Sequence, residues 1–365
     1  MRIVIYQDYL RAGGTESQSI YLCRRFQEAG HEAVLLTNRP GGSLAHLIEQ
    51  YDLAHRALQP WDWRLDWYCP ALISTLSEIQ PDVIMLMGRN ANCQGWRIRK
   101  KLPSIGVVAT FRTGRHIPWM YRRTLEQVPL ILCNSDYAHS RMRKIGIHNP
   151  SVEVHPNACL RADQIRAAQG LDHADMGLPV AMTKDHRHLL YVAAFVKGKN
   201  HTGLIRMMKT ILERKDDVTL LLVGEGPLRA EIEELIEAEQ LEHRIRLTGY
   251  RRDVEAFYSI ADVAISPSLE ESMPNFLVEA QYAGLPVVAY DEAGVKECFV
   301  PDESGLLIKR GDEHAFVDAV LKLIDDPSLV AEMEAKARAF AMSQFDPDLR
   351  FEALFQSVLR LANMR

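Results

Sequence analysis

The segment from Asp262 to Ala289 constrains the fold more than any other part of this sequence. It begins with a short apolar run, Asp262-Val263-Ala264-Ile265-Ser266, and closes with a second one, Val287-Val288-Ala289. Uninterrupted short apolar runs are what a parallel strand buried on both faces requires. Between them Pro274 suits the first position of a helix, where its missing N–H costs nothing. Gly284 suits the position just past the last turn, and Pro286 blocks continuation. The order is therefore strand, loop, short helix, tight turn, strand. A helix that follows a parallel strand presents unpaired N–H groups and its positive dipole end to an anion such as a diphosphate. Glu271 falls in the loop and Glu279 about a turn into the helix, where a carboxylate can accept hydrogen bonds from ribose hydroxyls. The competing reading is a pair of solvated surface glutamates.

The pattern Pro267-Ser268-x-x-Glu271, Pro274-Asn275-x-x-x-Glu279-Ala280 and Ala283-Gly284-x-Pro286-Val287-Val288 resembles the Glu-x7-Glu element of retaining glycosyltransferases of the family-four type. The resemblance implies an α/β chain of GT-B architecture, with two Rossmann-like parallel-sheet domains facing a central cleft. It places an acceptor-side domain at 1–165 and a nucleotide-sugar domain at 166–345. A terminal helix at 346–365 is expected to cross back onto the first domain.

Length and composition agree with two soluble cores. At 365 residues the chain exceeds one ordinary core, and 47% apolar with 25% charged residues is the balance of a globular protein. No apolar run reaches the length of about 18 residues that a membrane helix needs. The sequence begins directly on a strand, Ile3-Val4-Ile5-Tyr6, without a signal-peptide layout. Six cysteines without a C-x-x-C pair read as reduced thiols of a cytoplasmic protein. Residues 1–160 hold 19 Lys/Arg against 13 Asp/Glu, although the whole chain carries −5. Basic clusters at Arg97–Lys101, Arg122-Arg123 and Arg141–Lys144 are either solvated helix faces or a surface for an anionic membrane or acceptor. A peripheral location at the inner face of the membrane would follow from the second reading. Nucleic acid is disfavoured, because aromatics do not interleave with these clusters.

In the first half, Gly13-Gly14 stands between the first strand and a helix running roughly from 17 to 29, and Ala33–Thr37 forms the next strand. These glycines let backbone approach a ligand beside a helix N-terminus, although a plain glycine turn explains them equally. A dinucleotide-binding domain would want G-x-G-x-x-G and an acid closing the second strand, and neither is present. Residues 43–80 read as helices bearing an aromatic patch, Trp61, Trp63, Trp67 and Tyr68, more suited to packing than to a sugar platform. Val107–Arg112 is a strand whose following loop, Arg112 to His116, should point toward a ligand at the carboxyl edge of the sheet. Many members of the resembling family carry histidine where Arg112 stands. A permanently charged guanidinium cannot act as a base, yet it can clamp a phosphate or carboxylate.

Residues 158–187 read as a linker with a short helix, and Leu189–Phe195 opens the second sheet. By resemblance Lys199 neutralises the leaving diphosphate, while the companion arginine position is Ala194; Lys197 or Arg112 could supply that charge. Gly224 would line the nucleotide site, and Tyr250 and Arg251 would contact the base. Met273, Pro274, Asn275 and Phe276 would offer backbone N–H groups to phosphate, Glu279 the ribose contact and Glu271 the sugar contact. Asp253 and Asp262 are expected to be structural, by capping. The implied activity is transfer of a sugar from a nucleotide-sugar, UDP- or GDP-linked, to a carbohydrate or lipid-linked acceptor with retention at the anomeric carbon. Its place would be in the synthesis of cell-surface polysaccharide or glycolipid. Diphosphate departure would be stabilised by Lys199, by backbone N–H groups at 273–277 and 13–14, and by Arg112. No Asp-x-Asp pair ends a strand, so neither metal nor cofactor is expected. Two alternatives stay open: a catalytically silent nucleotide-sugar-binding subunit, which would explain Ala194, and a nucleotide-sugar epimerase of the same fold.

Overall fold

The computed structural model describes residues 1–112, 116–170 and 186–364. The chain divides into two compact units, Met1–Leu160 with Pro347–Arg365, and Arg161–Asp346.

The first unit is built on seven parallel strands: β1 (Arg2–Gln7), β2 (Glu32–Thr37), β3 (His55–Ala57), β4 (Val83–Leu86), β5 (Gly106–Phe111), β6 (Leu130–Cys133) and β7 (Val152–Val154). Their spatial order is β3-β2-β1-β4-β5-β6-β7. Each β1 residue points to the face opposite its neighbour, as the two-residue period of a strand demands. Val4 and Tyr6 enter one core with Leu36, Ile84, Leu125 and Ile131. Ile3 and Ile5 enter the other, with Phe26 of the helix Gly14–Glu28 and with Phe351, Leu354 and Val358 of the helix Pro347–Asn363. That last helix is also pinned to β7, where Ser357 Oγ donates to Glu153 and Arg360 Nη2 reaches both Glu153 oxygens at 3.0 Å.

The second unit repeats the plan with six parallel strands: β8 (Arg187–Val192), β9 (Val218–Val223), β10 (Ile245–Gly249), β11 (Val263–Ser266), β12 (Val287–Tyr290) and β13 (Gly305–Ile308). Their order is β10-β9-β8-β11-β12-β13. All residues of β9, β11 and β12 are buried, as their predominantly apolar character favours, with Thr219 and Ser266 the polar exceptions.

Several expectations need correction. Pro274 is the cap residue of the helix Asn275–Ala283 and not its first helical residue, with an extended φ/ψ of −72°/116°. Residues 43–80 hold two short helices, His46–Gln50 and Leu72–Ile79, separated by β3 and an irregular loop. A three-residue edge strand leaves too little periodicity to be seen without its partner β2. The aromatic patch is not packed away: Trp61 and Trp67 are each 65% exposed. Asp253 stands at a helix N-cap position but its side chain makes no capping bond; both its oxygens are taken by Arg251, at 2.9 and 2.6 Å. Asp262 caps no helix either. It accepts from Arg187 Nη1 at 2.9 Å and from the His188 N–H at 2.7 Å, tying β8 to the approach of β11. The linker is described only to Gly170, with a helix at Ala162–Ala167, and its remainder to 185 lies outside the described residues, as do Thr113, Gly114 and Arg115 of the Arg112 loop.

Candidate functional site

Because every strand within a sheet runs in one direction, the loops after the strands gather on a single edge. In each sheet the strand order reverses once, between β1 and β4 in the first and between β8 and β11 in the second. Two adjacent strands whose connections leave in opposite directions open a crevice at their carboxyl ends, and ligands of open α/β sheets bind there.

At the second reversal, β8 runs out through Ala193 and Ala194 into a 3-10 turn, Lys197–Lys199. The loop that leaves β11 lies directly against it. Leu269 donates its N–H to the Gly198 carbonyl at 2.8 Å, and Asn200 Nδ2 donates to the Pro267 carbonyl at 3.2 Å. The buried Tyr191 hydroxyl lies 3.0 Å from both the Lys199 carbonyl and Ser268 Oγ, joining the two loops from beneath. On this platform Lys199 Nζ and Glu271 Oε1 form an ion pair. The Glu271 side chain is 8% exposed and that of Lys199 25%. The crevice thus holds a charged pair, one partner nearly withdrawn from water and the other still reachable.

Beside this pair begins the helix Asn275–Ala283, whose N-cap residue Pro274 supplies no capping side chain. The first N–H groups of a helix lack intrahelical partners and carry its positive end, so this turn suits an anion. Met273 and Phe276 bury their side chains, and the Phe276 ring packs on Tyr191 and Tyr258 with centroids 5.7 and 6.2 Å away. Their contribution to a ligand would come from backbone, as expected of a phosphate-binding turn. Gly294, in the loop after β12, holds the approach from the other side. Its φ is +69°, and a Cβ there would lie 1.4 Å from the Ser272 carbonyl oxygen, so no other residue fits without moving the 272–274 backbone. At its far end the helix stops at left-handed Gly284, and the Leu285 N–H closes back on the Ala280 carbonyl at 2.8 Å.

Glu279 sits one turn along the helix. Its Oε2 accepts from the Tyr258 hydroxyl at 2.8 Å, and burial raises its pKa against the opposing pull of Arg161. Arg161 is itself held by Glu255 at 2.7 Å and by the Arg252 carbonyl at 2.9 Å. A carboxylate oxygen fixed by one hydroxyl still leaves lone pairs for others. Gly224 follows β9 and donates its N–H to the Gly249 carbonyl at 3.0 Å. Tyr250 follows β10 and is 51% exposed, next to Arg251 in its pair with Asp253. Lys199, Glu271, Met273–Phe276, Glu279, Gly224, Tyr250 and Arg251 therefore share the carboxyl edge of one sheet, with Lys199 and Glu271 joined as an ion pair.

In the first unit, the helix Gly14–Glu28 starts from Gly13, an extended residue without a capping side chain. The neighbouring helix Arg89–Lys101 differs. Asp8, at the end of β1, accepts from the N–H groups of Asn90 and Ala91 at 2.9 and 2.7 Å across the strand-order reversal. Burial pushes the Asp8 carboxyl up to about 6. That helix N-terminus already has its anion, and at Gly13-Gly14 the first-turn acid Glu16 folds back over Gly13, its carboxyl accepting from its own backbone N–H while burial raises its pKa. Arg112 follows β5 and donates Nη1–H to Asn157 Oδ1 at 3.1 Å, and burial lowers its pKa to about 10. It belongs to the carboxyl edge of the first sheet.

Tyr191, Tyr258, Arg161 and Asp8 escaped the sequence reading. Only Asp8 left a signal, as an acid placed immediately after the first strand. Among the described residues no group of three or more His, Cys, Asp or Glu side chains is placed to hold a metal ion, and no helix is long and apolar enough to cross a membrane.

Two family models cover the two halves: Glycosyltransferase Family 4 matches residues 12–159, and Glycosyl transferases group 1 matches residues 180–340. The lipopolysaccharide core biosynthesis glycosyltransferase LpsD of Rhizobium meliloti is 26% identical over 333 residues, 88% of each chain. Among solved structures, HepE of Anabaena, determined with UDP and with UDP-glucose, superimposes with a TM-score of 0.83 at 18% identity, covering 99% of this chain and 100% of that one. Sucrose-phosphate synthase of Thermosynechococcus elongatus gives 0.81 at 20% identity over 100% of both chains. With its two parallel-sheet units and both halves matched, this chain belongs to the family-four type, group 1 glycosyltransferases of GT-B fold.

Proposed function

We propose that the protein transfers a sugar, with retention and without a metal, from a nucleoside-diphosphate sugar to a carbohydrate or lipid-linked acceptor in polysaccharide or glycolipid synthesis. The observation that carries this reading is the Lys199–Glu271 pair beside the N-terminus of the helix Asn275–Ala283, which begins at Pro274. A departing diphosphate gains negative charge as its bond to the anomeric carbon breaks. An ammonium and a row of N–H groups already aimed at that position stabilise this charge without reorganising. Glu271, fixed by Lys199, accepts hydrogen bonds from hydroxyls of the donor sugar, and Glu279 does the same for ribose. The likeness to HepE bound to UDP and UDP-glucose supports a uridine nucleotide, and GDP is the alternative. On the first unit, Gly13 and Gly14 offer N–H groups to the acceptor, and Arg112 is assigned to an anionic group of it.

The similarity to LpsD supports an acceptor belonging to a cell-surface glycolipid or polysaccharide. Arg97, Arg99, Lys100, Lys101, Arg143 and Lys144 are exposed on the first unit and would meet an anionic membrane surface at the cytoplasmic side. Arg122 is committed elsewhere, to Glu126 and to the carbonyls of Ile145 and Gly146. A silent nucleotide-sugar-binding subunit is favoured by one observation, the exposed Ala194 where the family resemblance expects arginine.

Calorimetry with UDP and GDP, followed by turnover assays with the corresponding sugars in EDTA, tests the reading. Glu279→Ala should weaken nucleotide binding by roughly 1–3 kcal/mol while the fold survives. Nucleotide binding without turnover on any acceptor would favour the silent subunit, and unchanged affinity in the folded variant would remove the ribose role.

A further inference from the structure

We propose that the loop Trp61–Tyr68 is a platform for a pyranose ring of the acceptor, an assignment that rests on reading the first unit as the acceptor side. Trp61 and Trp67 are each 65% exposed and Tyr68 39%, far more apolar ring surface than a loop of eight residues ordinarily leaves in water. The rings form a continuous row: Trp61 meets Trp63 at 5.8 Å, Trp63 meets Tyr68 at 5.3 Å, and Tyr68 meets Trp67 at 5.9 Å between centroids.

The exposure is not a consequence of looseness. Arg39 grips Asp62 with two nitrogens at 2.7 and 2.9 Å and Asp66 with a third at 2.6 Å. Gln59 Nε2 donates to the carbonyls of Leu65 and Tyr68, both at 2.7 Å, and Asn38 Nδ2 donates to the Asp66 carbonyl at 2.7 Å. The backbone is thus fixed from the sheet side, and the rings are presented in a set arrangement. Ordering such a surface in advance lowers the entropic cost of binding.

The loop is also tied to the crevice. Arg11 pairs with Asp66 and lies two residues before Gly13, so the aromatic row and the Gly13-Gly14 turn occupy the same carboxyl edge of β1, β2 and β3. Aromatic faces carry negative potential and attract the weakly positive C–H face of a pyranose. Guanidinium and carboxylate groups at the base of the rings suit its hydroxyls, as donors and acceptors together. A bilayer surface fits less well. Asp62 and Asp66 stand among the rings as fixed negative charges and would be pressed toward anionic headgroups.

The test uses the full chain, with tryptophan fluorescence and saturation-transfer NMR against three neutral probes: maltotetraose, chitotetraose and mannotetraose. At least one should bind, with Trp67→Ala weakening it roughly tenfold and Trp67→Phe staying within about threefold, since a stacked ring is the feature that counts. UDP affinity should be unchanged in both variants. Absence of binding by all three probes overturns the inference, as does binding indifferent to both Trp61→Ala and Trp67→Ala. Sedimentation with vesicles of equal phosphatidylglycerol and phosphatidylethanolamine that depends on Trp67 would also overturn it, in favour of membrane insertion. Loss of UDP binding by the wild type would instead sink the donor-site reading, so the two failures are distinct.

Discussion

Replacing Lys199 by alanine separates structure from chemistry at the crevice. The substitution leaves the Glu271 carboxylate, 8% exposed, without its ammonium partner. A fully buried pair broken on one side costs about 3–5 kcal/mol, and an exposed one about 0–1 kcal/mol. With Lys199 itself 25% exposed, water can partly replace it, which places the stability loss at about 1–2 kcal/mol. For a domain of this size that corresponds to a fall in Tm of roughly 2–8 °C. The catalytic loss should be larger, because the ammonium is asked to stabilise charge that grows only as the diphosphate leaves. A reduction in kcat of about a hundredfold, ~2.7 kcal/mol, is expected with a smaller change in donor KM. Turnover and calorimetry at a temperature well below both transitions keep the two effects apart. A change confined to KM, or a kcat within about threefold of wild type, would refute the leaving-group assignment. The double variant Lys199→Ala/Glu271→Gln adds a check on the stability argument. It should recover part of the Tm, since no unpaired charge then remains, while turnover stays low.

Asp8 gives a pH-dependent prediction for the first unit. Its folded pKa of about 6 lies above the ordinary 3.8, so its contribution to stability is full below pH 3.8 and is lost as the pH rises through 6. Relative to wild type, Asp8→Asn should therefore gain on the order of 3 kcal/mol between pH 3.5 and 7 in urea unfolding, and a pH-independent difference would contradict the burial argument. Gly294→Ala must push a Cβ into the Ser272 carbonyl, 1.4 Å away, and displace the turn at 272–274. It should weaken UDP binding by roughly tenfold or more with the far-ultraviolet spectrum intact, and unaltered affinity would show that this turn does not touch the nucleotide.

The elements that the sequence announced are those whose signals are local. The apolar runs at 263–266 and 287–289, the glycine at 284 and the proline at 286 define strand and turn without reference to anything distant. The pairing of Lys199 with Glu271 spans 72 residues and arises only because β8 and β11 become neighbours at the reversal of strand order. The same applies to Tyr258 on Glu279 and to Asp8 on the helix Arg89–Lys101. Asp253 directly precedes a helix yet is held by Arg251, two residues before it, whereas Asp262 precedes a strand and is held by Arg187, 75 residues away, which only the fold brings close. The tryptophans near residue 65 misled for a related reason. Composition marks them as core material, and what keeps them outside is the clamp from Arg39, a residue on another loop.

The helix Pro347–Asn363 has a bearing on how the protein comes into being. It supplies Phe351, Leu354 and Val358 to the core of the first unit, yet it is translated after the whole of the second. Synthesis proceeds from the N-terminus, and domains usually complete themselves in that order as they emerge. Here the order is inverted: Arg161–Asp346 can close while the ribosome is still at work, whereas residues 1–160 wait with an apolar face uncovered. A nascent chain in that interval presents Phe26 and the surface around it to solvent, and so to chaperones or to other chains. Truncation before Pro347 would make that interval permanent.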